Sequence, residues 1–150
     1  GWPVKWYIIG FGSDQSLIED RICEAQMENN VFLLGEKANP YPYIRHCDLY
    51  VQPSRYEGKS IAVREAQILH KPVVITRFPT ADSQLKDGID GLIVPLNNED
   101  CAEGIAMLLG NPKKQLALIR HCQSEDFSTE TEALKIDQLF ESSPVSPIIF

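Results

Sequence analysis

The fold is decided by residues 48–76. They begin Asp48-Leu49-Tyr50-Val51-Gln52-Pro53-Ser54-Arg55-Tyr56-Glu57-Gly58-Lys59-Ser60-Ile61 and end Lys71-Pro72-Val73-Val74-Ile75-Thr76. The runs Asp48–Gln52 and Pro72–Thr76 are short and apolar, the pattern of strands buried on both faces. Pro53 stops the first, and Pro72 is acceptable as the opening residue of the second. Between them a loop over Ser54–Gly58 leads into a helix of about ten residues that ends near Leu69. Strand, helix, strand in that order makes two parallel strands joined by a crossover.

The same alternation extends outward. Upstream, Lys5–Gly10 reads as a strand that turns at Gly10-Phe11-Gly12-Ser13-Asp14. Ile18, Ile22 and Ala25 then follow at helical spacing. Val31–Leu34 is a second strand closed by Gly35, and Tyr41–Cys47 is a short helix with Pro42 in its first turn. Downstream, Gly91–Pro95 is a fifth strand. A helix starts near Asn98, with Glu99 and Asp100 favourable at its N-terminus. Gly110-Asn111-Pro112 ends it and starts the next. A last helix is expected over 130–141, and residues 142–150 form a tail. This is an α/β layer fold with a parallel sheet. Ligands in such sheets bind at the carboxyl ends of the strands. That directs attention to Gly10–Asp14, Gly35–Pro40, Pro53–Ser60 and Arg77–Ser83.

Composition narrows the function. The chain has 150 residues, 43% of them apolar, and a net charge of −7. That is enough for one core and is a poor charge balance for nucleic acid. No apolar run reaches a membrane span of about 20 residues. Cys23, Cys47, Cys101 and Cys122 form no Cys-x-x-Cys pair, and His46, His70 and His121 are scattered. Free thiols and no metal site are expected.

Charge is uneven. Residues 53–77 contain Arg55, Lys59, Arg64, Lys71 and Arg77 against Glu57 and Glu65, a net +3, and the remainder carries −10. A local positive patch on an acidic chain suits a small anion. The helix after Gly58 offers free N–H groups from Lys59, Ser60 and Ile61, which also suits an anion. Glu65 lies four residues after Ile61 and three before Ile68, interrupting an apolar stripe. A carboxylate there needs a partner: a neighbouring cation or the hydroxyls of a ligand. Gly10-Phe11-Gly12 suggests a dinucleotide loop, although the third glycine of that fingerprint is replaced by Gln15.

The segment Tyr50–Thr76 resembles the donor-binding half of family 4 retaining glycosyltransferases. These enzymes have the two-domain GT-B fold. Glu57 and Glu65 match the family's Glu-x7-Glu motif. Ile8-Ile9-Gly10-Phe11-Gly12, Val31-Phe32-Leu33-Leu34-Gly35 and Asp87-Gly88-Ile89-Asp90-Gly91-Leu92-Ile93-Val94 also fit its pattern. The resemblance spans roughly residues 5–141. The spelling Glu57-Gly58-Lys59-Ser60-Ile61-Ala62 is similar to bacterial enzymes that build capsular and other surface polysaccharides.

The resemblance implies a Rossmann-like three-layer domain over 1–141, the C-terminal half of a GT-B fold, lacking its first strand. Its ligand would be a UDP- or GDP-sugar, with no cofactor or metal. Transfer would go to a glycan or lipid-linked acceptor. Glu57 would face the transferred sugar, and Gly58, Lys59, Ser60 and Ile61 would turn N–H groups to the diphosphate. Glu65 would accept from the ribose hydroxyls. Gly10 and Gly12 belong to the same donor site, and Leu34 and Gly35 would lie beside the base. The acceptor-binding lobe is absent, so the chain alone should not transfer sugar. Its location would be cytoplasmic, or the inner face of the membrane. The slot of the absent strand, between Trp6–Gly10 and Asp48–Gln52, would close by direct pairing, by a second copy in a homodimer, or by the tail Pro147–Phe150. Two other readings stand beside this one: an NAD(P)-binding oxidoreductase domain, and a non-catalytic sugar-nucleotide module.

Overall fold

A computed structural model describes residues 3–125. The helix expected over 130–141 and the tail 142–150 lie outside them. Five strands and six helices follow in order: β1 (Trp6–Ile9), α1 (Gln15–Glu24), β2 (Val31–Gly35), α2 (Tyr41–His46), β3 (Tyr50–Gln52), α3 (Ile61–Ile68), β4 (Val73–Thr76), α4 (Ala81–Gln84), β5 (Leu92–Val94), α5 (Asn98–Leu109) and α6 (Pro112–Ser124). Within the described residues the expected alternation is present. The short helix α4 is an addition, in a segment read from sequence as loop.

The chain divides into two compact units, Gly1–Asp48 and Leu49–Phe150. Each owns one parallel sheet, β1–β2 in the first and β3–β4–β5 in the second. Direct β1–β3 pairing, one of the three closures expected for the slot, is not among the strand pairings of the described residues.

In the first unit, Trp6, Tyr7 and Ile8 pair with Val31, Phe32 and Leu33, and Ile9 then pairs with Gly35. Leu34 is therefore the extra residue of a bulge, which bends the end of β2. Tyr7 and Phe32, side by side in this register, stack with ring centroids 5.2 Å apart. Ile18 and Ile22 of α1 are half-buried as their spacing predicts, whereas Ala25 caps the helix and is exposed.

In the second unit, β4 is the middle strand and all four of its residues are buried. Val74 joins Leu92 and Val94 of β5, Leu108 of α5 and Leu118 of α6 in one apolar cluster. Val73 and Ile75 point to the opposite face and are equally buried. A strand covered on both faces needs the unbroken Val-Val-Ile run that the sequence supplies.

Helix α3 buries Val63, Ala66 and Gln67. The stripe expected from sequence was Ile61–Glu65–Ile68, but Ile61 is 75% exposed and Ile68 48% exposed. Size misled the reading: the buried face carries smaller side chains, because the helix packs directly on β3 and β4. Glu65 is half-buried beside that face rather than inside it. Among the described residues, no helix is long and apolar enough to cross a membrane.

Candidate functional site

The chain leaves β3 through Pro53 and reaches Glu57 in a loop built by the strand's own side chains. Tyr50 and Gln52 sit two apart and so share one face of β3. The Tyr50 hydroxyl donates to Gln52 Oε1 at 2.7 Å. Gln52 Nε2 donates to Ser54 Oγ at 3.0 Å and to Glu57 Oε1 at 2.9 Å. Ser54 Oγ donates to the same Glu57 oxygen at 2.9 Å. Thr76, at the end of β4, donates its hydroxyl to the Ser54 carbonyl. Glu57 is half-buried, and both bonds fall on Oε1. The network holds the carboxylate in one orientation while Oε2 makes neither of these bonds. Such a group can accept a hydrogen bond from a ligand hydroxyl.

Beyond Glu57 the loop is tied from below by α4 and the residue before it. The single Thr80 hydroxyl proton is shared between the carbonyl oxygens of Glu57 and Gly58, which lie 2.6 and 2.9 Å from Oγ1. The Gln84 side chain holds Ser60 at two points: Oε1 accepts the Ser60 N–H at 2.7 Å, and Nε2 donates to the Ser60 carbonyl at 3.2 Å. Gln84 is 3% exposed and Ser60 7%.

Helix α3 begins at Ile61, two residues later than expected, because Ser60 is its cap. Ser60 has an extended backbone, and its Oγ accepts from the Val63 N–H at 3.4 Å. This corrects one expectation. The Ser60 N–H is not offered to a ligand, since Gln84 already takes it. Gly58 and Lys59 are exposed, and Ile61 opens the helix. Lys59 and Arg55 keep exposed positive charge near this end. Arg77 instead pairs with Asp82 at 3.2 Å.

In the first unit, the expected Gly10, Leu34 and Gly35 come together where β1 and β2 end. Gly10 donates its N–H to the Gly35 carbonyl at 3.0 Å. Both glycines have positive φ, +132° and +67°, conformations that side chains disfavour. Gly12 lies at the entry to α1, its carbonyl accepting from the Gln15 N–H at 3.2 Å.

Four residues of this architecture were not read from the sequence: Gln52, Ser54, Thr80 and Gln84. Gln52 had a local signal, as a polar residue closing an apolar strand two positions after Tyr50. Thr80 and Gln84 had none, because their partners lie more than twenty residues away.

A buried carboxylate lies apart from these loops. Asp90 is 8% exposed, and its Oδ1 accepts from the Lys86 N–H at 2.7 Å. Burial pushes its pKa up, against the Lys86 hydrogen bond and the charges of His121, Lys86 and Arg64, which pull it down. Among the described residues, no group of three or more His, Cys, Asp or Glu side chains is placed to hold a metal ion.

Residues 3–124 match the family described as Glycosyl transferases group 1. Over 144 residues, 93% of the chain, the sequence is 31% identical to the poly(ribitol-phosphate) alpha-N-acetylglucosaminyltransferase of Staphylococcus aureus (strain COL), covering 29% of that protein. It is 27% identical to the lipopolysaccharide core biosynthesis mannosyltransferase LpsB of Rhizobium meliloti (strain 1021), with 85% of the chain and 38% of that protein covered. The chain thus spans about a third of the length of these relatives. Among solved structures, a mutant of S. aureus TarM in complex with Fondaparinux, alpha-GlcNAc-glycerol and UDP superposes with a TM-score of 0.79 at 30% identity. It covers 93% of this chain and 29% of that one. Anabaena HepE in complex with UDP gives a TM-score of 0.81 at 23% identity, over 93% and 41%. The HepE likeness bears on the fold alone.

Proposed function

The chain belongs to the glycosyl transferases group 1 family, and from that premise we propose that it is the donor-binding domain of a retaining glycosyltransferase. The donor is a nucleotide-diphosphate sugar. Its acceptor is a glycan or lipid-linked glycan in bacterial polysaccharide synthesis. The observation that carries this reading is the pair Glu57 and Glu65, set on the loop and helix that follow β3, with a capped helix start between them. UDP in the TarM complex favours a uridine nucleotide over a guanosine one.

Each residue takes a part in this proposal. Glu57, oriented by Gln52 and Ser54, accepts from hydroxyls of the transferred sugar. The N–H groups of Gly58, Lys59 and Ile61 hold the diphosphate as it leaves, aided by the Lys59 charge and the dipole of α3. Ser60 contributes by capping that helix rather than through its own N–H. Glu65 accepts from the ribose hydroxyls. Gly10 and Gly12 leave backbone free of side chains for the donor, and Leu34 and Gly35 lie beside the base. Transfer also requires an acceptor-binding lobe. A cytoplasmic location, at the inner membrane face for a lipid-linked acceptor, belongs to the same proposal, as does a homodimer. A strictly monomeric particle by light scattering at high concentration removes the dimer.

Saturation-transfer NMR with UDP, GDP and NAD tests the nucleotide. A signal from UDP and none from NAD is expected. Transfer to NAD alone, with the Gly10-Phe11-Gly12 turn as its site, overturns the proposal.

A further inference from the structure

The two loop carbonyls held by Thr80 determine where two N–H groups point. No peptide bond among the described residues is cis. In a trans peptide, the carbonyl of one residue and the N–H of the next lie in one plane and point in opposite directions. Thr80 Oγ1 bonds the Glu57 carbonyl, which belongs to the plane carrying the Gly58 N–H. It also bonds the Gly58 carbonyl, whose plane carries the Lys59 N–H. One hydroxyl, its proton shared between the two carbonyls, therefore turns two successive N–H groups away from itself. Two successive N–H groups turned away from the same hydroxyl are donors from which an anion can accept.

We infer that Thr80 is a positioning residue for phosphate binding, acting through the Gly58 and Lys59 amides without touching the ligand. This inference rests on the donor-binding reading above. Gln84 completes the device at the next fixed point. By holding the Ser60 N–H and carbonyl, it fixes the two peptide planes that flank Ser60, where the loop becomes helix. The loop is thus fixed at Glu57, Gly58 and Ser60 from one short segment, 80–84. The Lys59 side chain between those points remains exposed. Thr80 itself is exposed, so water can replace its partners when the hydroxyl is lost. Its value lies in orientation more than in stability, and that separates it from a purely structural residue.

The test compares UDP with uridine on the purified protein by calorimetric titration. Thr80→Val keeps the shape and removes the donor, and Thr80→Ser restores it. Thr80→Val is expected to weaken UDP about tenfold, the effect of losing charge-assisted bonds. Uridine should change less than about twofold, within ordinary surface-substitution effects. The denaturation midpoint should stay near wild type, and Thr80→Ser should recover UDP binding. Equal UDP affinity in Thr80→Val and wild type overturns the inference, as does an equal loss for UDP and uridine. In both cases a wild type that prefers UDP to uridine leaves the donor-binding reading standing. A wild type without that preference overturns the two together. Amide NMR on the wild type serves if Thr80→Val does not fold. UDP must shift the Gly58 and Lys59 amides more than uridine does, and unshifted amides overturn the inference.

Discussion

The Gln84 side-chain amide pairs with both backbone groups of Ser60, its Oε1 accepting at 2.7 Å and its Nε2 donating at 3.2 Å. It does for the start of α3 what a neighbouring strand would do. Both residues are buried, so water offers no substitute. Gln84→Leu is expected to leave the Ser60 N–H without a partner. The cost is about 1–3 kcal/mol, the penalty for an unsatisfied buried donor. Urea unfolding measures it, and an unchanged midpoint would show that the pairing contributes nothing.

Glu57 and Glu65 should separate kinetically. Glu57→Ala should lower turnover more than nucleotide affinity, because its proposed contact is to the reacting sugar. Glu65→Ala should weaken UDP binding about tenfold, as expected for a lost bond to a charged group. Both are measured on protein that includes an acceptor lobe. A Glu65→Ala chain that binds UDP as tightly as wild type would count against the ribose contact.

Asp90 predicts a pH dependence of stability. Burial raises its folded pKa above the ordinary 3.8. The folded state therefore prefers the protonated carboxyl. That preference is fully present below about pH 3.8, and it fades as pH rises through the raised folded value. Asp90→Asn keeps an acceptor for the Lys86 N–H and removes the titration. The stability of the Asn variant relative to wild type should rise with pH across that window and then level off. Denaturant unfolding from pH 3 to 7 reads the difference, written as about one curve minus the other. A flat difference would show that Asp90 titrates normally.

Thiol reactivity should divide by burial. Cys23 is exposed, whereas Cys122 is buried with its Sγ 3.7 Å from the Asp90 carbonyl. Burial, joined by the nearby Asp90 charge, pushes the Cys122 pKa up to about 11. The thiolate is the reactive form, so it is scarce at neutral pH. Iodoacetamide should alkylate Cys23 in the folded protein and spare Cys122 until denaturant is added. Mass spectrometry of peptides decides it, and equal labelling of the two would contradict the packing around α6.

The alternation of strands and helices was legible because each element announces itself locally. Val73–Ile75 is an unbroken apolar run, Asn97 and Asn111 cap α5 and α6 through their own side chains, and Pro112 opens its helix. The loop before α3 was legible for the same reason, whereas the Glu57–Glu65 pair was singled out only through the resemblance to a known family. The rest depended on contacts between distant segments. Ile61 and Ile68 looked like the buried stripe of α3, but close packing on β3 and β4 put Val63 and Ala66 inside. Ser60 looked like an open donor until Gln84, 24 positions on, proved to hold its N–H. Short-range patterning determines which elements form and which residues cap them. Whether a given N–H or carboxylate is free or already bonded is decided when remote segments pack, because a hydrogen bond depends on distance and direction rather than on sequence separation.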